Sequence, residues 1–550
     1  MESSQNTPSE FSTWLDKPLF KTRPKITPEL ILISIILILT ILSRFIGLGW
    51  RVMSHDEVNH VVPSYSFYQG SGYSHDPVTH GPLQFHLVAA SYYLFGDSDF
   101  SSRIPAALFS IATVAFVLIG WRRYLGKTGA LLAGLFFMIS PYILFYGRYT
   151  RNEAFIGLYG VIMLYAVLRY LEQGKNSTLY LFTAMVALHF ITKETSFIYT
   201  AEILIFLALV FLKDVTKAAW KKANSRNVFI LAVLVALFFL MAALGIAVIN
   251  AKAAPSEIPA TTDTTAAATV TPNPLNYALY ALLGLAVVSV AIGLVVLFSN
   301  LGMKELRKIR SFDLLLVTFT LILPQLIAFP IKLAGWDPLD YSQPGLIRTS
   351  IMLIISVLLA VGIGLLWKPK IWAINAAIFY GLFTVFYTSL FTNGQGFFTG
   401  LVGSLGYWLA QQAVNRGTQP WYFYALIQIP MYEYLAALGT IVGLVIGIKY
   451  KLLSTLPGVS PAAQVAEDED KTTIASVDEE SQVESPIQQK RIPVLTLLIY
   501  WSILSLIAFS VAGEKMPWLT FHITLPMSLT AGFSVGFLID RVKAKSITPK

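Results

Sequence analysis

The chain contains no cysteine, which excludes disulfides, thiolate metal sites and a cysteine nucleophile. It is also poor in charge. Only 13% of its 550 residues are Asp, Glu, Lys or Arg, about half the share usual in soluble domains. There is no glycine-rich phosphate loop and no G-x-S-x-G nucleophile motif, and no polar stretch is long enough to fold as a cytosolic nucleotide-binding domain. What fills the chain is apolar: 55% of residues are hydrophobic and the mean hydropathy is +0.63. The apolar residues fall in repeated runs of roughly 18–24, each able to cross about 30 Å of hydrocarbon. The reading is an all-α, polytopic membrane bundle of about fourteen transmembrane helices, from 30–49 to 523–539. The net charge of +9 gives no argument for nucleic acid, because the cations sit in short loops between spans.

Those cations set an orientation. Lys17, Lys21, Arg23 and Lys25 precede the first span; Arg122, Arg123 and Lys127, then Lys213, Lys217, Lys221, Lys222 and Arg226, fall in later connections on the same side. So do Lys304 to Arg310, Lys368 and Lys370, Lys449 and Lys451, and Arg541 to Lys545. The positive-inside rule then puts both termini in the cytoplasm and the loop 50–101 outside. The first 28 residues are polar, so the first span reads as retained and not as a cleaved signal peptide.

The expected organisation is a cytoplasmic segment at 1–29, a membrane core at 30–250 carrying the outer loop 50–101, and an Ala/Thr/Pro-rich disordered outer linker at 251–275. Helices at 276–448 follow, with an aromatic outer loop at 392–427. An acidic cytoplasmic loop at 449–491 and a last helix pair with tail at 492–550 complete it. No internal repeat of the inverted-transporter kind is evident.

The outer face collects the unusual groups. Five of the seven histidines lie in 50–86: His55, His60, His75, His80 and His86. The acids Asp56 and Glu57 are adjacent there, and Asp76 follows. The next outer turns read GRYTRNE (147–153) and TKET (192–195), holding Arg148, Arg151, Glu153, Lys193 and Glu194. The last outer connection supplies Glu514, Lys515 and, beyond Trp518, His522. Charges at the ends of spans must face water, each other or a ligand. One such cation reads as a snorkelling anchor; four turns on one side suggest a pocket pairing an acid with a phosphate clamp. HDEVNH is not the zinc-protease pattern, yet His55, Glu57 and His60 leave a divalent metal as an option. Arg348 and Arg416 in outer segments either reach a lipid phosphate or anchor at the interface. Trp421 belongs to an aromatic stretch that fits an interfacial belt or a lid equally well. Glu202, inside a span, is the residue that best suits a transporter.

The ordered set HDE (55–57), DPVTHGP (76–82), GRYTRNE, TKET and GEKMPWLTFH (513–522) resembles the GT-C membrane glycosyltransferases, the branch of protein O-mannosyltransferases and the lipid A aminoarabinose transferase. It most resembles the prokaryotic flippase activity-associated, Agl23-type proteins, as does 391–424. The resemblance implies a helical first outer loop over a cavity open to the membrane. It also implies inverting transfer of a sugar from a polyprenyl-phosphate donor to a hydroxyl of a protein, lipid or glycan acceptor. Carried over, Asp56 is the general base, Glu57 its neighbour and Glu153 the second acid. The departing phosphate would be met by Arg148, Arg151, Lys193 or Lys515, with His80 or His522 as donors. His55, Asp76, Glu194, Trp421 and Glu514 would line the substrate cavity. The alternative is a transporter or flippase for lipid-linked saccharides, or a subunit that assists one.

Overall fold

The computed structural model describes residues 26–253, 274–411, 419–454, 494–513 and 515–547. The expected linker over 254–273, nearly all of the acidic loop, Arg416 and Glu514 lie outside the described residues. Every regular element among the described residues is a helix.

Helix α1 (Pro28–Phe45) starts where Thr27 caps the Leu30 amide and proline occupies the first turn, a position where its missing N–H costs nothing. Helix α2 (His55–Tyr68) opens on a capping box: Ser54 accepts from the Glu57 amide while the Glu57 carboxylate accepts from the Ser54 amide. Two acids in its first turn suit the positive end of the helix dipole. Helix α3 (Leu83–Phe95) packs on α2 and on α4 (Asp99–Ile119). The loop 50–101 is thus helical, as expected. Helices α5 (Arg122–Ile139), α6 (Pro141–Tyr146), α7 (Glu153–Gln173), α8 (Asn176–Phe190) and α9 (Thr195–Thr216) follow. They lead to α10 (Ala223–Ala253), α11 (Pro274–Asn300) and α12 (Arg310–Ile322). Beyond these come α13 (Gln343–Trp367), α14 (Pro369–Tyr387), α15 (Ser404–Gln411), α16 (Tyr434–Lys449), α17 (Val494–Val511) and α18 (Thr520–Ile547).

The span count differs from the expected fourteen. Among the described residues eleven helices are long and apolar enough to cross a membrane, or twelve if Phe423–Tyr432 and Tyr434–Lys449, bent by 110°, form one span. The shortfall lies in α5 and α8. Helix α5 is interrupted at Gly126 (φ 74) beside Arg122, Arg123 and Lys127. Helix α8 has 15 residues, about 22 Å at 1.5 Å per residue. Both are supported by protein: α8 packs against α7 and α14, where Thr183 donates to Asn375 at 2.6 Å. Helix α5 crosses α18 closely. A Cβ on Gly536 would sit 2.5 Å from the Gly129 Cα, so this crossing requires glycine at position 536, as small residues allow in membranes.

The chain divides into two compact units. Residues 207–313 form one, in which α10 and α11 lie side by side around Val215, Phe229, Leu297, Leu301 and Leu306. The remainder forms the other and holds every candidate site residue.

Candidate active site

Asp56 and Glu57 are neighbours in sequence and opposites in environment. Successive residues on a helix point about 100° apart, so one faces a cavity and the other the core. Glu57 is fully buried and its carboxylate is saturated: Arg103 grips it with Nε and Nη2 at 2.8 and 2.9 Å, Arg51 at 3.0 Å, and the Thr150 and Ser54 amides at 3.1 and 3.2 Å. Burial pushes the Glu57 pKa up, but the Arg103 hydrogen bonds and charge and the Thr150 amide outweigh it and hold the carboxyl below its usual range. Arg103 is itself wholly buried and also donates to the Leu48 and Arg51 carbonyls. Glu57 joins the outer loop to α4 and to the 147–153 turn. Glu57 is not among the residues that line the cavity described below. The Asp56 side chain, by contrast, is 39% exposed and meets Arg151 Nη1 at 2.9 Å.

The 147–153 turn sorts its two arginines. Arg151 lies against Asp56, over the face of Trp518 at 3.7 Å, and 3.4 Å from Glu153. Arg148 instead donates to the Ser43 and Ile46 carbonyls at the end of α1. It closes a helix terminus, which corrects its assignment to the phosphate site. Glu153 is fully buried in an ion pair with Lys193. These two groups back the site from behind Arg151 and do not form the cavity wall.

The third contribution comes from 80–83. The Gly81 and Leu83 amides donate to the Thr192 and Ile191 carbonyls, both at 3.1 Å. A Cβ on Gly81 would fall 2.4 Å from the Ile191 oxygen, so only glycine permits the clamp. Next to it, His80 has φ 71 and ψ −169, a region populated almost only by glycine and costing on the order of 1–3 kcal/mol. The clamp brings His80 Nδ1 within 2.6 Å of Glu194 Oε2. Burial would raise the Glu194 pKa; the His80 charge and hydrogen bond overcome it and lower it. His60, stacked on His80 at 6.3 Å, is held well below the usual imidazole range by burial and then by Arg151 and His80.

Together these groups wall a cavity of about 410 Å³, within the size range of small-molecule sites. Asp56, Arg151 and Glu194 are its carboxylates and guanidinium, His60 and His80 its imidazoles, while Tyr407, Trp408 and Trp518 give aromatic surface. Met516 and Trp518 share this wall with Asp56, so the last connection and the first outer loop do meet in one site.

Other expected residues stand elsewhere. Lys515 donates to the Ala512 carbonyl at 2.9 Å and is not on the wall. His522 is buried on α18, paired with Tyr199 at 3.0 Å and stacked on Phe509; it is no surface donor. Trp421 is 73% exposed, away from the cavity. Asp76 caps the short 77–79 turn through the Val78 amide. His55 is exposed, beside Asn59. His55, Glu57 and His60 do not converge, and among the described residues no three His, Asp or Glu side chains are grouped to hold a metal ion. Arg348 stacks over Trp336. Glu202 has its carboxylate taken by Trp501 and Ser505.

Sequence reading missed Arg103. At the start of a span it looks like an interfacial anchor, and only its contact with Glu57, 46 positions away, shows its role.

Residues 79–246 match the family model described as dolichyl-phosphate-mannose-protein mannosyltransferase, a GT-C family. The matched segment contains His80, Arg151, Glu153, Lys193 and Glu194, while Asp56 precedes it. Comparison with curated protein sequences gives no match.

Among solved structures this chain is similar to the archaeal oligosaccharyltransferase AglB from Archaeoglobus fulgidus, in complex with an inhibitory peptide and a dolichol-phosphate. The identity is 12%, over 95% of this chain and 52% of that one, with a TM-score of 0.42. It is also similar to ArnT from Cupriavidus metallidurans bound to undecaprenyl phosphate, at 14% identity over 94% of this chain and 78% of that one, with a TM-score of 0.27. The chain spans about half the length of the archaeal oligosaccharyltransferase.

Proposed function

We propose that this protein is a membrane glycosyltransferase that moves a sugar, with inversion, from a polyprenyl-phosphate carrier to an acceptor hydroxyl on the outer face. One observation carries the reading. Asp56 is the accessible acid on the cavity wall, while Glu57, Glu153 and Glu194 are buried and bound by Arg103, Lys193 and His80. A carboxylate within about 2.6–3.2 Å of an acceptor hydroxyl takes its proton as the new C–O bond forms. As that bond forms the bond to phosphate breaks, and Arg151, the guanidinium on the same cavity wall, is the cation that stabilises the charge developing on the phosphate. The description of the matched family, with its lipid-phosphate mannose, supports this donor class. Trp408, Tyr407 and Trp518 offer ring faces for a sugar. The deciding experiment supplies purified protein with labelled polyprenyl-phosphate sugar and follows release of free polyprenyl phosphate. A flippase would release none.

The two arginines of the 147–153 turn should behave differently. Arg151→Ala should lower turnover by about 10²–10³-fold, the usual cost of removing one charge-stabilising donor. Arg148→Ala should leave turnover near wild type and lower only thermal stability, since its partners are carbonyls of α1. Steady-state rates of both variants, with Arg151→Lys to control for packing, check this. Equal losses would return Arg148 to the site.

The charge pattern supports a cavity on the outer face. Cysteine-free protein makes the test simple: Asn59→Cys and Lys515→Cys should react with an impermeant maleimide added to intact cells, and Lys368→Cys only after permeabilisation. The reverse pattern would put the site on the cytoplasmic face.

A further inference from the structure

We infer that His80, oriented by Glu194, donates to the donor phosphate and gives it a proton as the glycosidic bond breaks, so that Asp56 and His80 act as base and acid within one cavity. This inference rests on the function proposed above.

Three independent features support it. First, Glu194 engages Nδ1 at 2.6 Å, which fixes the ring and leaves Nε2 as the nitrogen on its opposite side. Second, His80 is about a quarter exposed and lies on the cavity wall with Asp56 and Arg151. Third, the residue stands at φ 71, ψ −169, where an L side chain is strained and glycine is at ease. A histidine kept in such a place by the clamp to 191–192 has no evident packing reason for being there. Strain of this kind concentrates where a side chain is needed for its chemistry.

The step balances. The acceptor oxygen forms its bond to the anomeric carbon and its proton passes to Asp56. The pair of electrons in the breaking C–O bond goes to the phosphate oxygen, and the Nε2 proton of His80 follows it. His80 is left neutral, its Nδ1–H still donated to Glu194, and is reprotonated from water once the product leaves. Arg151, always charged, supplies attraction but no proton. The two groups are therefore not redundant. Glu194 is a positioning residue: it touches His80 and not the reacting atoms.

The test uses the full chain in detergent micelles with undecaprenyl phosphate as probe, because the product phosphate can be followed whatever the sugar. Retention of radiolabelled undecaprenyl phosphate is measured for wild type, His80→Gly and Glu194→Gln, along with thermal unfolding. Turnover is measured with the polyprenyl-phosphate sugar donor. His80→Gly should be as stable as wild type or more so, since glycine relieves the strained backbone. It should nevertheless bind the probe at least tenfold more weakly and lose at least a hundredfold in turnover. Added imidazole, which fits the vacated space beside Glu194, should restore a large part of both. Glu194→Gln should lower kcat and leave KM for the donor nearly unchanged. Wild-type binding and rate in His80→Gly overturn the inference. So does a loss that imidazole does not restore, which would give His80 a structural role. Failure of the wild-type protein itself to retain undecaprenyl phosphate or release it from a donor overturns the underlying function instead.

Discussion

Asp56→Asn is expected to leave the protein folded and able to hold polyprenyl phosphate while lowering sugar transfer by about 10²–10⁴-fold, the range for losing a general base. The amide is nearly isosteric and its oxygen can still accept from Arg151, so the contact at 2.9 Å is kept in weakened form. The buried Arg151 keeps Glu153 at 3.4 Å, so neutralising the 39% exposed Asp56 leaves no buried charge without a partner. The amide cannot take a proton from a hydroxyl. Single-turnover transfer from labelled donor, beside retention of undecaprenyl phosphate, separates chemistry from binding. Transfer at the wild-type rate would remove Asp56 as base and point to Glu194 or Glu153. A flippase would show no transfer even in the wild type, and lipid movement insensitive to this substitution.

Its neighbour should respond in a different quantity. Glu57→Gln removes the charge that three guanidinium contacts and two backbone amides converge on, and strands Arg103 in a fully buried position. Breaking a buried pair by removing one partner typically costs about 3–5 kcal/mol. The expected result is loss of monodisperse, folded protein at physiological temperature. Pairing Glu57→Gln with Arg103→Met should recover part of the stability, because the stranded charge goes as well. Thermal unfolding of the two single variants and the double variant closes the cycle. A stable Glu57→Gln protein with lost turnover would instead make Glu57 a chemical participant.

The same pair has a pH consequence. The folded pKa of Glu57 is depressed, so its stabilisation is in place above the ordinary carboxylate range. It is lost as the pH falls through that range to the folded value.

Much of this could be read without coordinates. Long apolar runs with few charges require a membrane helix bundle, because backbone polar groups in hydrocarbon must be satisfied internally. Clusters of charge at the ends of those runs had to face one another or a ligand, and the motifs at 55–57, 76–82, 147–153, 192–195 and 513–518 do gather in one unit. The number of spans was less legible. Helix α8 is too short to count by length and apolarity, and α5 is broken at Gly126; hydropathy alone does not register how neighbours such as α7 and α14 support a short helix.

The roles within the motifs were decided only by the tertiary structure. Composition and spacing treat Asp56 and Glu57 alike, as they do Arg148 and Arg151. A helical step of about 100° turns Asp56 to the cavity and Glu57 to Arg103, and the fold of the 147–153 turn sends Arg148 to the end of α1 and Arg151 to Asp56. The partners that make these choices are remote in the chain: Arg103 for Glu57, Glu194 for His80, Trp518 for Arg151. The sequence by itself therefore determined a membrane helical bundle with reactive groups collected at one boundary. Which acid stays accessible and which cation meets it depends on long-range packing, because a buried charge takes its state from the partner that folding brings to it.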